Sequence, residues 1–340
     1  LLRRQGRRAI RNLQRALRPL TVRTRLGWGG RMADRLLLPG AARFTGQGFR
    51  MARLPPVVDR MDGQLVVLTG ATSGIGLAAA EMLSRLGAEL VLVGRNSERL
   101  QQVRQQLLDD GAARIDTEAA DLLDLDEVRA LALRLRQAYP LIDVLINNAG
   151  ALFAERALTP QGHERALAVN LLTPWLLMQH LRPALAAAGA GRIINVASGG
   201  MYLTPLDMDD LRYEKARYDG PTAYARAKRM LVVLGQRMAA DFAGDGIAVH
   251  AMHPGWADTP GVESSLPSFH RIMRPLLRNA SEGADTLVWL AANPGGTDGG
   301  QFWFDRAPHD IDLIPGTRIR RDEVDTLDGY FRTLVAPYLP

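Results

Sequence analysis

The feature that most constrains this chain is a series of short, continuous apolar runs, each cut off by glycine, asparagine or proline and each followed by a helical pattern. Gln64-Leu65-Val66-Val67-Leu68, Leu90-Val91-Leu92-Val93, Leu141-Ile142-Asp143-Val144-Leu145-Ile146, Arg192-Ile193-Ile194-Asn195-Val196 and Ile247-Ala248-Val249-His250-Ala251-Met252 lack the polar–apolar alternation of a half-exposed strand. A strand needs such a run when both faces of its sheet are covered. A weaker strand near Arg114–Ala119 and a last one at Gln301-Phe302-Trp303-Phe304 bring the number to about seven. Helical periodicity fills the gaps, over 97–109, 125–138, 161–188, 224–242 and 282–292. Strands separated by helices throughout predict one α/β domain over 54–305, a doubly wound parallel sheet flanked by helices. Residues 199–223 and 257–280 read as loops, the second as mobile, and Pro294-Gly295-Gly296 as a turn. Residues 306–340 read as a polar extension with a short helix after Asp322.

Charge divides the chain unevenly. Its formal net charge is +6, yet residues 1–53 hold 14 Arg and one acid, Asp34, so the remainder carries −7. The basicity belongs to a head segment, not to the folded body. Three readings of that head stay open: an Arg-rich, acid-poor targeting peptide, a basic surface-binding helix, or translated sequence upstream of a start at Met32. The third is favoured, and residues 1–31 are expected to be poorly ordered and outside the fold. The head's aromatics are only Trp28, Phe44 and Phe49, which argues against nucleic acid as a partner; a peripheral membrane contact through residues 1–53 stays open. There is no cysteine, which excludes disulfides, thiolate nucleophiles and zinc–thiolate centres. The absence of a long apolar run leads to a cytoplasmic expectation, with peripheral membrane association open.

The chemistry sits at the carboxyl ends of the strands. The first strand runs into Thr69-Gly70-Ala71-Thr72-Ser73-Gly74-Ile75-Gly76 and then a helix, an arrangement that aims backbone N–H groups and a helix N-terminus at a phosphate. After the second strand comes Arg95, where an acid would hold a ribose 2′-hydroxyl and an arginine suits a 2′-phosphate. Asn147-Asn148-Ala149-Gly150 closes the fourth strand, Asn170 lies among apolar helical residues, and Ser198 follows the fifth strand. Tyr224 and Lys228 stand four apart on a helical pattern, hence on one face. An ammonium beside a phenol would lower its ordinary pKa of about 10 toward the working range of a general acid or base. Lysine is also scarce: 40 Arg are matched by only Lys215 and Lys228.

In this order and spacing, Thr69-Gly70 with Gly74-Ile75-Gly76, Asn147-Asn148-Ala149-Gly150, Asn170, Ser198, Tyr224 with Lys228, and Pro254-Gly255 resemble the short-chain dehydrogenase/reductase family over residues 60–305. Gly199-Gly200-Met201, Met252-His253-Pro254-Gly255-Trp256-Ala257-Asp258-Thr259-Pro260-Gly261-Val262, the run from Gly283 to Ala291 and Phe304-Asp305-Arg306 resemble its retinol-dehydrogenase-like group that includes dehydrogenase/reductase member twelve. The resemblance implies a Rossmann-like sheet and an oxidoreductase acting on CH–OH with NADP as cofactor, NAD being the second choice. It implies that Tyr224 transfers the proton, that Lys228 lowers its pKa and bonds the nicotinamide ribose, and that Ser198 holds the substrate oxygen. Asn170 would hold a water linking Lys228 to solvent. Gly70, Thr72, Ser73, Gly74, Ile75 and Gly76 would line the pyrophosphate turn and Arg95 would meet the 2′-phosphate. Asp121 and Leu122 would flank the adenine, Asn148, Ala149 and Gly150 would lie along the cofactor, and Pro254, Gly255 and Thr259 would bracket the nicotinamide. No metal is expected.

The substrate expected is an apolar carbonyl or alcohol, retinoid- or lipid-like, because Met201, Tyr202, Leu203, Trp256, Leu266, Phe269 and Ile272 fall in the loops over the site; packing among the loops is the competing reading. A non-catalytic NADP(H)-binding scaffold or sensor with a basic surface-binding head is the alternative function. Homodimerisation is open, and the 306–340 tail is placed to block one of the usual faces. Some positions depart from the family pattern. Asn96 stands where relatives often carry an acid, and Ala197 takes the place of a first serine. His253 reads as structural, and Asn279-Ala280-Ser281 as a helix start.

Overall fold

A computed structural model describes residues 42–293, 299–314 and 316–340. The expectations for residues 1–31, the start at Met32 and the turn at 294–296 lie outside the described residues. Eight strands form one sheet in the order β3-β2-β1-β4-β5-β6-β7-β8. They are β1 Leu65–Thr69, β2 Glu89–Gly94, β3 Ile115–Ala119, β4 Val144–Asn147, β5 Arg192–Val196, β6 Ala248–Met252, β7 Phe302–Phe304 and β8 Ala307–Pro308. The first seven are parallel, and β8 returns antiparallel to β7. The chain order reverses between β1 and β4, which makes their carboxyl ends the switch point where doubly wound sheets bind ligands.

The continuous apolar runs now sort by parity. Val67, Val91, Leu145, Ile193 and Val249 face one side, against helices α4 Leu125–Ala138, α5 Thr173–Ala187 and α6 Gly220–Phe242. Val66, Leu68, Leu90, Leu92, Ile146 and Ile194 face the other, against α2 Gly74–Arg85, α3 Ser97–Asp109 and α9 Ala280–Ala292. The central strands β1, β4 and β5 are therefore buried at every position, as two covered faces require.

Four elements depart from the sequence reading. The eighth strand was not expected: Asp305 and Arg306 take φ of 49° and 58° and make a two-residue hairpin loop of the mirror-image type. The segment 257–280 is not irregular but contains α7 Pro260–Ser265 and α8 Pro267–Met273, each opened by proline. Proline reads as a loop signal, yet its fixed φ suits the first turn of a helix. The helix after Asp322 is not short: α10 Arg321–Val335 has 15 residues and drives Leu327, Phe331 and Val335 into the core beside α6. Finally, the last part of the basic head packs on the body. There α1 Gly46–Ala52, capped by Thr45, lies near the α9 start, with Arg50 paired to Glu282 at 2.8 Å. Among the described residues no helix is long and apolar enough to cross a membrane.

Candidate active site

The site grows out of the β1/β4 switch point. Thr69, the last residue of β1, accepts from the Asn148 and Ala149 N–H groups at 3.0 Å each and donates to the Ile146 carbonyl at 3.2 Å. The Asn148 amide donates to the Thr69 and Gly70 carbonyls at 2.9 and 3.1 Å. Helix α2 starts so close to this junction that a Cβ on Gly76 would lie 2.1 Å from the Gly70 oxygen and 2.5 Å from the Asn148 amide. Only glycine fits there. Helix α2 starts at Gly74, and its N-cap Ser73 makes no side-chain capping bond. The first-turn N–H groups are thereby left for an anionic ligand. Thr259 stands across from this turn, its side chain 3.1 Å from where a Gly74 Cβ would lie. These features fit a dinucleotide pyrophosphate.

The second half of the site lies on α6. This helix begins at Gly220, one turn before Tyr224, capped by Asp219 through the Thr222 N–H at 3.0 Å. A Cβ on Gly220 would lie 2.0 Å from the Phe153 carbonyl, so glycine lets the helix start abut the loop after β4. Gly150, in that loop, faces Asn170 and Lys228: its absent Cβ would be 2.6 Å from Asn170 Oδ1 and 3.0 Å from Lys228 Nζ. Asn170 sits in a π-turn, Ala168–Leu172, that leads into α5. Such turns concentrate at functional sites.

The Asn170 amide donates to the Ala151 and Ala166 carbonyls at 2.8 Å each and accepts from the Ala151 N–H at 3.3 Å. These bonds brace the loop after β4. Ser198 caps the turn Gly199–Leu203, and its hydroxyl is near enough to the Tyr224 phenol to lower its pKa. A serine hydroxyl and a phenol thus converge at the β5 end.

The electrostatics of Tyr224 and Lys228 differ from what their spacing predicts. Burial pushes the Tyr224 phenol up, and the nearby Ser198 hydroxyl opposes it. Burial pulls the Lys228 ammonium down to about 7. Lys228 Nζ donates to the Val196 carbonyl at 2.7 Å and lies 5.9 Å from the Tyr224 ring centre. The two share a helix face, but desolvation outweighs their mutual influence.

The adenine end is more open. Arg95 is exposed at the β2 end, and Thr72 lies beside Gly94 there. Asn96, in place of an acid, caps α3 through the Arg99 N–H at 2.8 Å. Asp121 accepts from the Leu123 N–H at 3.1 Å, while Leu122 is buried in the core. Ile75 packs against Gly283, and Pro254 and Gly255 are buried at the β6 end. Of the apolar loop residues, Met201 and Tyr202 are core, Tyr202 set edge-on to Phe302 at 5.9 Å. Trp256 and Phe269 pack on Met273 and Leu277, whereas Leu203 and Ile272 are exposed. Two residues with positioning roles, Thr69 and Arg278, carried little sequence signal: Thr69 stood in the motif without a role, and Arg278 is one arginine among many.

His253 is structural, as expected. It stacks on Phe304 at 5.1 Å, and burial holds it down to about 3. His250, beside Trp303, is held down to about 4 by burial. Both are therefore neutral in the fold, while an unfolded histidine protonates near 6.5. Below pH 6.5 the unfolded chain binds protons that the folded chain does not, so stability falls with pH. The expected loss is about 1.4 kcal/mol per pH unit for each histidine until its folded pKa is reached. Urea unfolding between pH 6.5 and 4.5 checks this; a His250→Gln, His253→Gln double variant with an unchanged slope would refute it.

The comparisons with known proteins agree with this geometry. Residues 64–268 match the short chain dehydrogenase family. The chain belongs to that family. It is accordingly an oxidoreductase of the class that interconverts CH–OH and carbonyl groups. The chain is 36% identical to human dehydrogenase/reductase SDR family member 12 over 79% of its own length and 86% of the relative's. It is 35% identical to polyprenol dehydrogenase of Mus musculus, covering 71% of this chain and 75% of that one. Among solved structures, a 3-oxoacyl (acyl-carrier-protein) reductase from Agrobacterium tumefaciens C58 with NADP bound superposes with a TM-score of 0.60 at 25% identity, over 75% of this chain and 96% of that one.

Proposed function

We propose that this short-chain dehydrogenase moves a hydride between NADP(H) and the carbonyl or alcohol carbon of an apolar, lipid-like substrate, with Tyr224 as the proton-transferring group. The observation that carries the reading is Tyr224 and Lys228 on one face of α6, with Ser198 beside the phenol, together with a glycine-rich turn whose N–H groups are unspent. The nicotinamide supplies the hydride chemistry. Ser198 holds the substrate oxygen and stabilises charge building on it. Tyr224 gives that oxygen a proton in reduction and removes it in oxidation. Lys228 is placed to bond the nicotinamide ribose and, when protonated, to favour the phenolate. A polyprenol-oxidising relative supports an apolar substrate, as do exposed Leu203 and Ile272 at the loops.

The cofactor preference rests on Arg95, exposed where a 2′-phosphate would lie. A charge-assisted hydrogen bond contributes about 1.5–3 kcal/mol. Arg95→Ala should therefore raise the Kd for NADPH by about ten- to a hundredfold and leave the Kd for NADH unchanged. Calorimetric titration with both dinucleotides tests this, followed by a screen of polyprenols, retinoids and ketones in both directions. Tight NADPH binding with no turnover anywhere in the screen would favour a non-catalytic NADP(H) sensor instead.

A further inference from the structure

The loop 253–259 follows β6 and carries Pro254, Gly255 and Thr259, the residues that face the dinucleotide. It is held from behind by a part of the chain that lies outside the matched family region. The Trp256 N–H donates to the Phe44 carbonyl at 2.8 Å. The Phe44 ring stands edge-on to His253 at 4.7 Å, to Trp256 at 5.7 Å and to Phe304 at 5.1 Å. Arg278 grips the same loop on its other side, its N–H donating to the Trp256 carbonyl at 2.7 Å and its carbonyl accepting from the Asp258 N–H at 2.8 Å.

The Arg278 guanidinium ties these parts together. It is 1% exposed and forms a two-point pair with Asp305 at 2.7 and 3.0 Å. It also donates to the Arg43 and Phe44 carbonyls at 2.7 and 3.2 Å, and it packs over the Phe49 and Phe304 rings. Gly255, at φ 77°, leaves the space that the guanidinium fills: a Cβ there would be 2.3 Å from Arg278 Nε. Asp305 takes a left-handed conformation disfavoured for a residue with a side chain, and its carboxylate is the partner that compensates it. Thr259, at the far end of the loop, is the residue that stands against Gly74.

We infer that residues 43–49, clasped by Arg278 and Asp305, act as a positioning device for the loop 253–259 and so set the affinity of the site for its dinucleotide. Phe44 and Arg278 touch neither cofactor nor substrate, so they are positioning residues and not catalytic ones. The inference rests on the NADP(H) reading above.

The test uses the full chain with Phe44→Ala, the milder Phe44→Leu, and Arg278→Lys, which keeps the charge but loses the planar fork. NADPH Kd is measured by titration, and kcat and KM under saturating and limiting NADPH. Displacement of a positioned loop should raise Kd about tenfold in Phe44→Ala and in Arg278→Lys, with kcat at saturating NADPH within about twofold of wild type. Phe44→Leu should recover most of the affinity. A merely structural role would lower Tm or the active fraction and leave Kd unchanged in all three, and that result overturns the inference. Should Phe44→Ala not fold, Kd in Phe44→Leu and Arg278→Lys decides alone. A wild-type chain that binds neither NADPH nor NADH removes the underlying cofactor reading, and this inference with it.

Discussion

Tyr224→Phe is expected to lower kcat by about 10²–10⁴-fold while the Kd for NADPH stays within about twofold of wild type. In the proposed mechanism the lost atom is the one that gives or takes the proton at the substrate oxygen, and general acid–base catalysis contributes rate factors of that size. Phenylalanine keeps the ring and its helix position, so the cofactor side of the cleft is undisturbed. Ser198 lies beside that same hydroxyl, and its own orientation will loosen somewhat in the variant. Single-turnover kinetics with NADPH, set beside a binding titration, checks both halves. Turnover retained within a factor of ten would transfer the proton role to another group.

The second large effect is on stability. Phe331→Ala should cost about 3–5 kcal/mol, the usual range for deleting a buried phenylalanine. Phe331 is 0% exposed, lies 6.4 Å from the Trp175 ring, and shares the core with Leu327 and Val335 one turn to either side. Helix α10 has few other attachments to the body: Arg332 pairs with Asp241, and Tyr338, just beyond the helix, offers its carbonyl to His180 Nε2 at 2.7 Å. The cavity would thus weaken the whole C-terminal layer. Urea unfolding with the m-value compared to wild type measures it, and a loss below about 1 kcal/mol would show that the layer is held by something else.

Much of the sheet was legible because its central strands carry near-continuous apolar runs, a pattern a half-exposed strand does not show. The ends of those strands were legible too, since Gly70, Gly76 and Gly150 stand where no side chain fits. What stayed hidden has a common cause: it depends on partners far away in the chain. Arg278 could not be told from the other arginines, because its role comes from Asp305 on one side and the Phe44 backbone on the other. Met201 and Tyr202 looked like cleft-lining residues, yet a short turn rotates them into the core; apolar character alone does not say which side of a loop is wet. The prolines that open α7 and α8 concealed two helices. The direction of the Tyr224 and Lys228 shifts was hidden as well, since spacing gives proximity but not desolvation.

The buried Lys228 has a cost that no contact list displays. A side chain whose ammonium is held near 7 in the fold titrates near 10 when released, so alkaline solution up to that point should make the native state firmer, whereas replacement by methionine should do so at neutral pH. The lysine proposed to serve the reaction thus lowers durability, and under that proposal a hardened variant would be found most easily by giving up turnover.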